Sequence, residues 1–191
     1  MQYVIGVDIG TQGTKTGLFD RNGRLIADAF EKSCIMKPSR DAIEEDPETQ
    51  VSSVCNTIRS CIQTANIERS DIAALSIDGQ MAGVIGVDRV GKHVTPYDSW
   101  LDTRCGKYIE EMNREAGEEI IRSAGSPASI NHGPKMLWWM HEQKDVYHSI
   151  HAFVQPAGYA AMRLCGLDGG KAFIDRTYLH FTGFADSSSG Q

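Results

Sequence analysis

Hydrophobic and polar positions follow two periods along this chain, and each change of period marks a new element. Residues 4–9 carry Val4, Ile5, Val7 and Ile9 with little interruption, which reads as a strand buried on both faces. Gly10 and Gly13 bracket a turn of small and polar residues that can reverse tightly, and residues 14–19 return as a second strand. Asn22-Gly23 is a strong hairpin signal, so residues 24–32 continue as the third strand of one meander. After an irregular polar stretch to Glu45, Asp46 and Pro47 announce a helix as N-cap and first helical residue. Its apolar positions Val51, Val54, Cys55, Ile58, Cys61, Ile62 and Ala65 recur at helical spacing and form a single stripe for burial.

The pattern then changes. Residues 73–77 read as a buried strand and residues 83–87 as another, with the polar residues 78–82 crossing between them. A turn at residues 89–92 sends residues 94–101 back toward that crossing loop. From Thr103 the chain is mostly helical: Cys105, Tyr108, Ile109 and Met112 make one stripe, Ile120, Ile121 and Ala124 a shorter one, and Gly125 a stop. Gly133-Pro134 opens a further helix through Met136, Leu137 and Met140, and a last one follows Pro156 and ends at Cys165 with Gly166 as its cap. Trp138 and Trp139 are adjacent, so they cannot share a helix face. Antiparallel strands followed by interleaved helices and strands predict an α/β domain with a mixed sheet.

Composition narrows the partners. The 191 residues suit one ordinary domain, and a net charge of −6 argues against the basic face of a nucleic-acid binder. Five cysteines with no C-x-x-C spacing predict free thiols, not a zinc site or a disulfide framework. Neither a leader peptide nor a stretch long enough to span a bilayer is visible, so a cytoplasmic protein without a membrane partner is expected.

The opening hairpin also carries candidate chemistry. Backbone N–H groups of the turn at residues 10–14, with the hydroxyls of Thr11 and Thr14, can cradle phosphate oxygens. Asp8, at the end of the strand, can hold a Mg²⁺ ion directly or through water. On spacing alone, an ordinary hairpin with Asp8 as a turn acid explains these residues equally well. Asp78 also ends a strand and reads as a turn residue. His148 and His151 stand three apart without a third ligand in reach, so they read as exposed helix-end residues.

Four further stretches, taken with the opening Val7-Asp8-Ile9-Gly10-Thr11-Gln12-Gly13-Thr14-Lys15, carry a resemblance. They are Glu45-Asp46-Pro47; Ile77-Asp78-Gly79-Gln80-Met81-Ala82-Gly83; Pro96-Tyr97-Asp98-Ser99-Trp100-Leu101-Asp102-Thr103-Arg104-Cys105; and Gly133-Pro134-Lys135-Met136-Leu137-Trp138. In order and spacing they resemble the front part of the FGGY carbohydrate kinases, xylulokinase-like branch, within the sugar-kinase, heat-shock-70 and actin superfamily. The resemblance implies a ribonuclease-H-like α/β fold and ATP-dependent phosphorylation of a sugar hydroxyl, with a ketopentose such as xylulose as the expected substrate. It implies Asp8 as the Mg²⁺ residue, and Gly10, Thr11, Gln12, Gly13, Thr14 and Lys15 as the phosphate loop. It implies Gln80, Met81, Trp100, Asp102 and Arg104 as sugar-binding residues. A helix-capping role for Asp102 and a structural ion pair for Arg104 are the competing readings.

Two departures limit what carries over. Ala82 stands where the xylulokinase loop usually has a histidine. The similarity also stops within residues 172–186, ahead of the family's catalytic base and of its adenosine-binding second domain. Residues 1–191 are therefore expected to be the front part of the sugar-binding domain, inactive alone and able to self-associate through uncovered surface. A non-catalytic truncated remnant, or another nucleotide-binding member of the superfamily, are the alternative readings.

Overall fold

The computed structural model describes residues 2–190. Strands β1 (Tyr3–Gly10), β2 (Gly13–Asp20) and β3 (Leu25–Lys32) form the expected antiparallel meander. A two-residue strand β4 (Glu44–Glu45) precedes helix α1 (Pro47–Ala65), which leads to strand β5 (Ile72–Gly79). Strand β5 lies parallel to β1, which gives a mixed four-stranded sheet in the order β3-β2-β1-β5. Its register places Asp78 beside Asp8.

Helix α1 begins where the sequence says it should. The Asp46 carboxylate accepts from the Thr49 N–H at 3.1 Å, and Pro47 occupies the first turn, where a missing N–H costs nothing. The helix covers one face of the sheet, where Ile5, Val7, Ile9, Leu18 and Ala27 pack against Val54 and Cys61. That interface is less apolar than its stripe suggests. Gln50, Ser53 and Thr57 are buried on the same helix face, and the Thr16 hydroxyl donates to Thr57 Oγ1 at 2.7 Å. A hydroxyl can enter a core without penalty when its partner is already there.

Two strand expectations need correction. The run from Val4 to Ile9 is buried on one face only, because its residues alternate: Ile5, Val7 and Ile9 face α1, whereas Val4 is 43% exposed. Strand β5 is likewise not buried. It is the edge of the sheet, and Leu75 stays 42% exposed. The open face of the sheet carries Gly6, Asp8, Lys15, Gly17, Phe19 and Phe30 along a broad groove.

Two small sheets sit beside the main one. Strand β6 (Ile85–Val87) pairs with β8 (Ala152–Val154), and β4 pairs with β7 (Tyr97–Asp98). Helices α2 (Gly106–Ala124), α3 (His132–Glu142), the single turn α4 (Lys144–Tyr147) and α5 (Pro156–Cys165) complete the fold. Helix α2 kinks at Ala116 and stops at Gly125 in the left-handed conformation, φ 82°. Helix α5 packs on β5 and β1, with Ala160 fully buried.

Gly13 is the tightest point of the front hairpin. A Cβ there would run into the Glu31 carbonyl oxygen and the Phe30 ring, both of β3. Gly13→Ala is therefore expected to lower stability by about 2 kcal/mol through overpacking. A lowered urea midpoint with an unchanged slope would confirm this, and an unchanged midpoint would refute it.

Candidate functional site

The strand ends of β1 and β5 open together at one rim of the sheet. Asp8, Gly10, Thr11, Asp78, Gly79, Gln80, Met81, Ala82 and Trp100 line an open cavity of about 490 Å³ there. Three polypeptide segments about 70 and 90 residues apart in sequence meet in it through side-chain hydrogen bonds. The Trp100 indole N–H donates to Thr11 Oγ1 at 2.9 Å, and the Thr11 hydroxyl donates to Gln80 Oε1 at 3.3 Å.

Gln80 is held on its other side as well. Its amide N–H donates to Glu45 Oε1 at 2.9 Å, and the Tyr97 hydroxyl donates to Gln80 Oε1 at 3.4 Å. Burial raises the Glu45 carboxyl above its ordinary range, and the Gln80 hydrogen bond opposes that rise. The Gln80 amide is thus oriented by protein groups before any ligand arrives.

Asp8 and Lys15 point to the open face of the sheet, with Lys15 Nζ 3.8 Å from Asp8 Oδ2. A Cβ built at Gly10 would stand 3.4 Å from Asp8 Oδ2, so glycine there keeps the space beside the carboxylate clear. Asp78 lies next to Asp8, and its Oδ1 accepts from the Tyr178 hydroxyl at 2.9 Å and from the Gly79 N–H at 2.7 Å. A turn reading of Asp78 leaves this neighbour out. The signal it lacked was the parallel register of β1 and β5, which only the fold supplies.

The donor set suits a hard cation. Among the described residues no three His, Cys, Asp or Glu side chains are placed to hold a metal ion. One or two carboxylates with open space around them match how Mg²⁺ is usually held, since that ion keeps several waters and takes further oxygens from phosphates. His148, which ends α4, and His151 belong to no such group.

Not every expected residue reaches the cavity. The Thr14 side chain faces α1, where its hydroxyl pairs with that of Ser53; the residue is 3% exposed and lies on the side of the hairpin opposite Lys15. Alternation along β2 dictates this: if Lys15 faces out, Thr14 faces in. Gln12 is exposed at the turn, and its carbonyl accepts from the Ser33 N–H at 3.1 Å.

Asp102 is 2% exposed and lies outside the cavity lining. It accepts from Ile43 N–H at 2.9 Å and from Arg104 Nε at 2.9 Å. Arg104 also reaches Glu44 at 2.7 Å and lies over the Trp138 ring, 4.4 Å from its centroid. The competing ion-pair reading describes Arg104 as the structure has it. Asp102 Oδ1 also accepts from the Arg104 N–H at 3.1 Å, in the turn just ahead of α2, whose own N-cap is Cys105.

The sequence profile of the FGGY family of carbohydrate kinases, N-terminal domain, matches residues 3–190. The chain belongs to that family. It is 26% identical over 168 residues to a xylulose kinase of Bacillus subtilis, covering 87% of this chain and 34% of that protein. With a glycerol kinase of Brucella ovis it shares 34% identity over 120 residues, 62% of this chain and 24% of that one. The crystal structure of a xylulose kinase from Rhodospirillum rubrum superposes over 99% of the chain and 39% of its own, with 25% identity and a TM-score of 0.89. The mixed-sheet α/β fold is therefore that of FGGY sugar kinases. The chain spans about a third of the length of the curated relatives it matches. No helix among the described residues is long and apolar enough to cross a membrane.

Proposed function

We propose that this chain supplies the sugar-binding half of an ATP-dependent sugar kinase site. The observation that carries the reading is the convergence of Gln80, Met81 and Trp100 with Asp8 and Thr11 on one open cavity. A fixed amide suits a polyhydroxylated ligand, and an exposed indole face can cover its carbon chain. Asp8 would hold Mg²⁺, and the hairpin with Gly10 and Lys15 would meet phosphate oxygens. A bound Mg²⁺–ATP would supply the transferable phosphoryl group and neutralise its charge. The chain's own residues orient the sugar and hold the anionic partner beside it.

Ala82 lines the cavity, and its methyl leaves room where a larger polar side chain would add a hydrogen bond. The preferred sugar should therefore differ from D-xylulose. Titration calorimetry with a panel of ketoses, polyols and sugar acids tests both statements. The expected result is saturable binding of at least one compound other than D-xylulose, weakened about tenfold or more by Trp100→Ala. D-xylulose as the tightest ligand would refute the selectivity claim. An entirely silent panel would favour a remnant that folds without binding sugar.

A further inference from the structure

No residue of helix α3 lines the cavity, yet the helix is tied to both loops that form it. His132, Lys135 and Trp139 stand at intervals of three and four and so share one helix face. They are 0%, 1% and 5% exposed. His132 Nε2 lies 2.6 Å from the Met81 carbonyl oxygen, and since a carbonyl only accepts, that nitrogen carries the proton. Lys135 Nζ donates to the carbonyls of Ser99 at 2.9 Å and Asp102 at 3.0 Å, on either side of Trp100. The Trp139 indole donates to Asp98 Oδ2 at 3.0 Å, and Asp98 Oδ1 accepts from the Val84 N–H at 3.0 Å.

The loop carrying Gln80 and Met81 and the loop carrying Trp100 are thus anchored to successive positions on one rigid rod. A helix fixes the spacing of its side chains, about 1.5 Å of rise per residue, so the rod fixes how far apart the two loops stand. A buried ammonium is costly unless its protons are used, and here two go to backbone carbonyls that bracket a single exposed aromatic. The arrangement is stronger than packing requires. An apolar side chain at position 135 would fill the same space without dictating where the loop's carbonyls point.

We infer that His132 and Lys135 are positioning residues that set the gap between the Met81 and Trp100 loops and with it the sugar selectivity. The selectivity clause rests on the sugar-kinase reading above; the loop-order clause does not. The test is backbone hydrogen exchange on the 191-residue chain and on Lys135→Met, His132→Phe and His132→Gln, with the calorimetric sugar panel run in parallel. Glutamine can place an N–H near the position of the imidazole Nε2, and phenylalanine cannot.

Lys135→Met is expected to speed exchange of residues 98–103 at least tenfold while the β1–β2 ladder stays within twofold of the parent. His132→Phe should do the same for residues 80–83, and His132→Gln should restore the parent rates. Sugar affinities should fall unequally in the first two variants, changing their order across the panel. Exchange that rises evenly over the whole chain, or loops that remain within twofold of the parent, would overturn the inference. Should Lys135→Met not fold, the His132 pair decides alone: equal behaviour of Phe and Gln overturns it. A parent that binds no sugar would sink the sugar-kinase reading and leave the exchange results to judge the loop-order clause.

Discussion

A coupled ADP-release assay on the 191-residue chain is expected to show no sugar-dependent turnover. Phosphoryl transfer relies on holding the sugar hydroxyl and the terminal phosphate in line, in a site from which water is kept out. Such orientation can be worth about 7–11 kcal/mol, so a site that lacks it loses many orders of magnitude in rate. The cavity here is open to solvent. The Asp8 side chain is 52% exposed, and Met81 and Trp100 are 49% and 46% exposed, so the reacting groups would meet bulk water. The matched relatives carry about twice as much further polypeptide, in which an opposing wall can lie. Asp8→Asn is the control for contaminating kinase. Joined to those further segments, the same substitution should cut turnover several hundredfold, as removal of one electrostatic stabiliser does, with sugar binding nearly unchanged. Sugar-dependent turnover in the short chain that vanishes with Asp8→Asn would overturn the expectation.

The parts of the fold legible in the sequence were those specified by neighbours in the chain. Asp46-Pro47 at the start of α1, Asn22-Gly23 in the second hairpin and Gly125 and Gly166 after their helices act within a few residues, and each is where the pattern placed it. The resemblance also brought Gln80, Met81 and Trp100 to the same cavity. Properties set by distant partners were not legible. Whether Val4 is covered depends on which elements pack over the second face of the sheet. Whether Thr14 serves a phosphate or a core depends on Ser53, thirty-nine residues on. His132 and Lys135 are the sharpest case. Nothing in the local pattern marks a histidine and a lysine at the start of a helix as interior; their partners, the carbonyls of Met81, Ser99 and Asp102, come from distant segments.

Two of these interior groups should leave opposite marks on stability, visible only when one is removed. Burial pushes the Asp98 carboxyl up to about 6, with the nearby Lys135 ammonium opposing the rise. Burial pushes the His132 imidazole down to about 4, against its hydrogen bond to Met81. Between pH 4 and 6 the unfolded chain has Asp98 ionised and His132 protonated, whereas the native chain has Asp98 protonated and His132 neutral. The pair binds the same number of protons in both states, so its contributions to the pH slope cancel in the parent. Asp98→Asn leaves His132 alone, a group whose native pKa is depressed. The stability of this variant relative to the parent should fall as pH drops from about 6.5 to 4, by up to about 3 kcal/mol at 1.4 kcal/mol per pH unit. His132→Gln leaves Asp98 alone, an acid whose native pKa is raised. Its stability relative to the parent should fall by a similar amount as pH rises from about 4 to 6. Urea midpoints for the three proteins at pH 4.5, 5.5 and 6.5 make the comparison, and every other titrating group is common to all of them. Opposite slopes for the two variants are expected. Slopes of the same sign would mean that at least one of the two groups keeps its ordinary charge inside the fold.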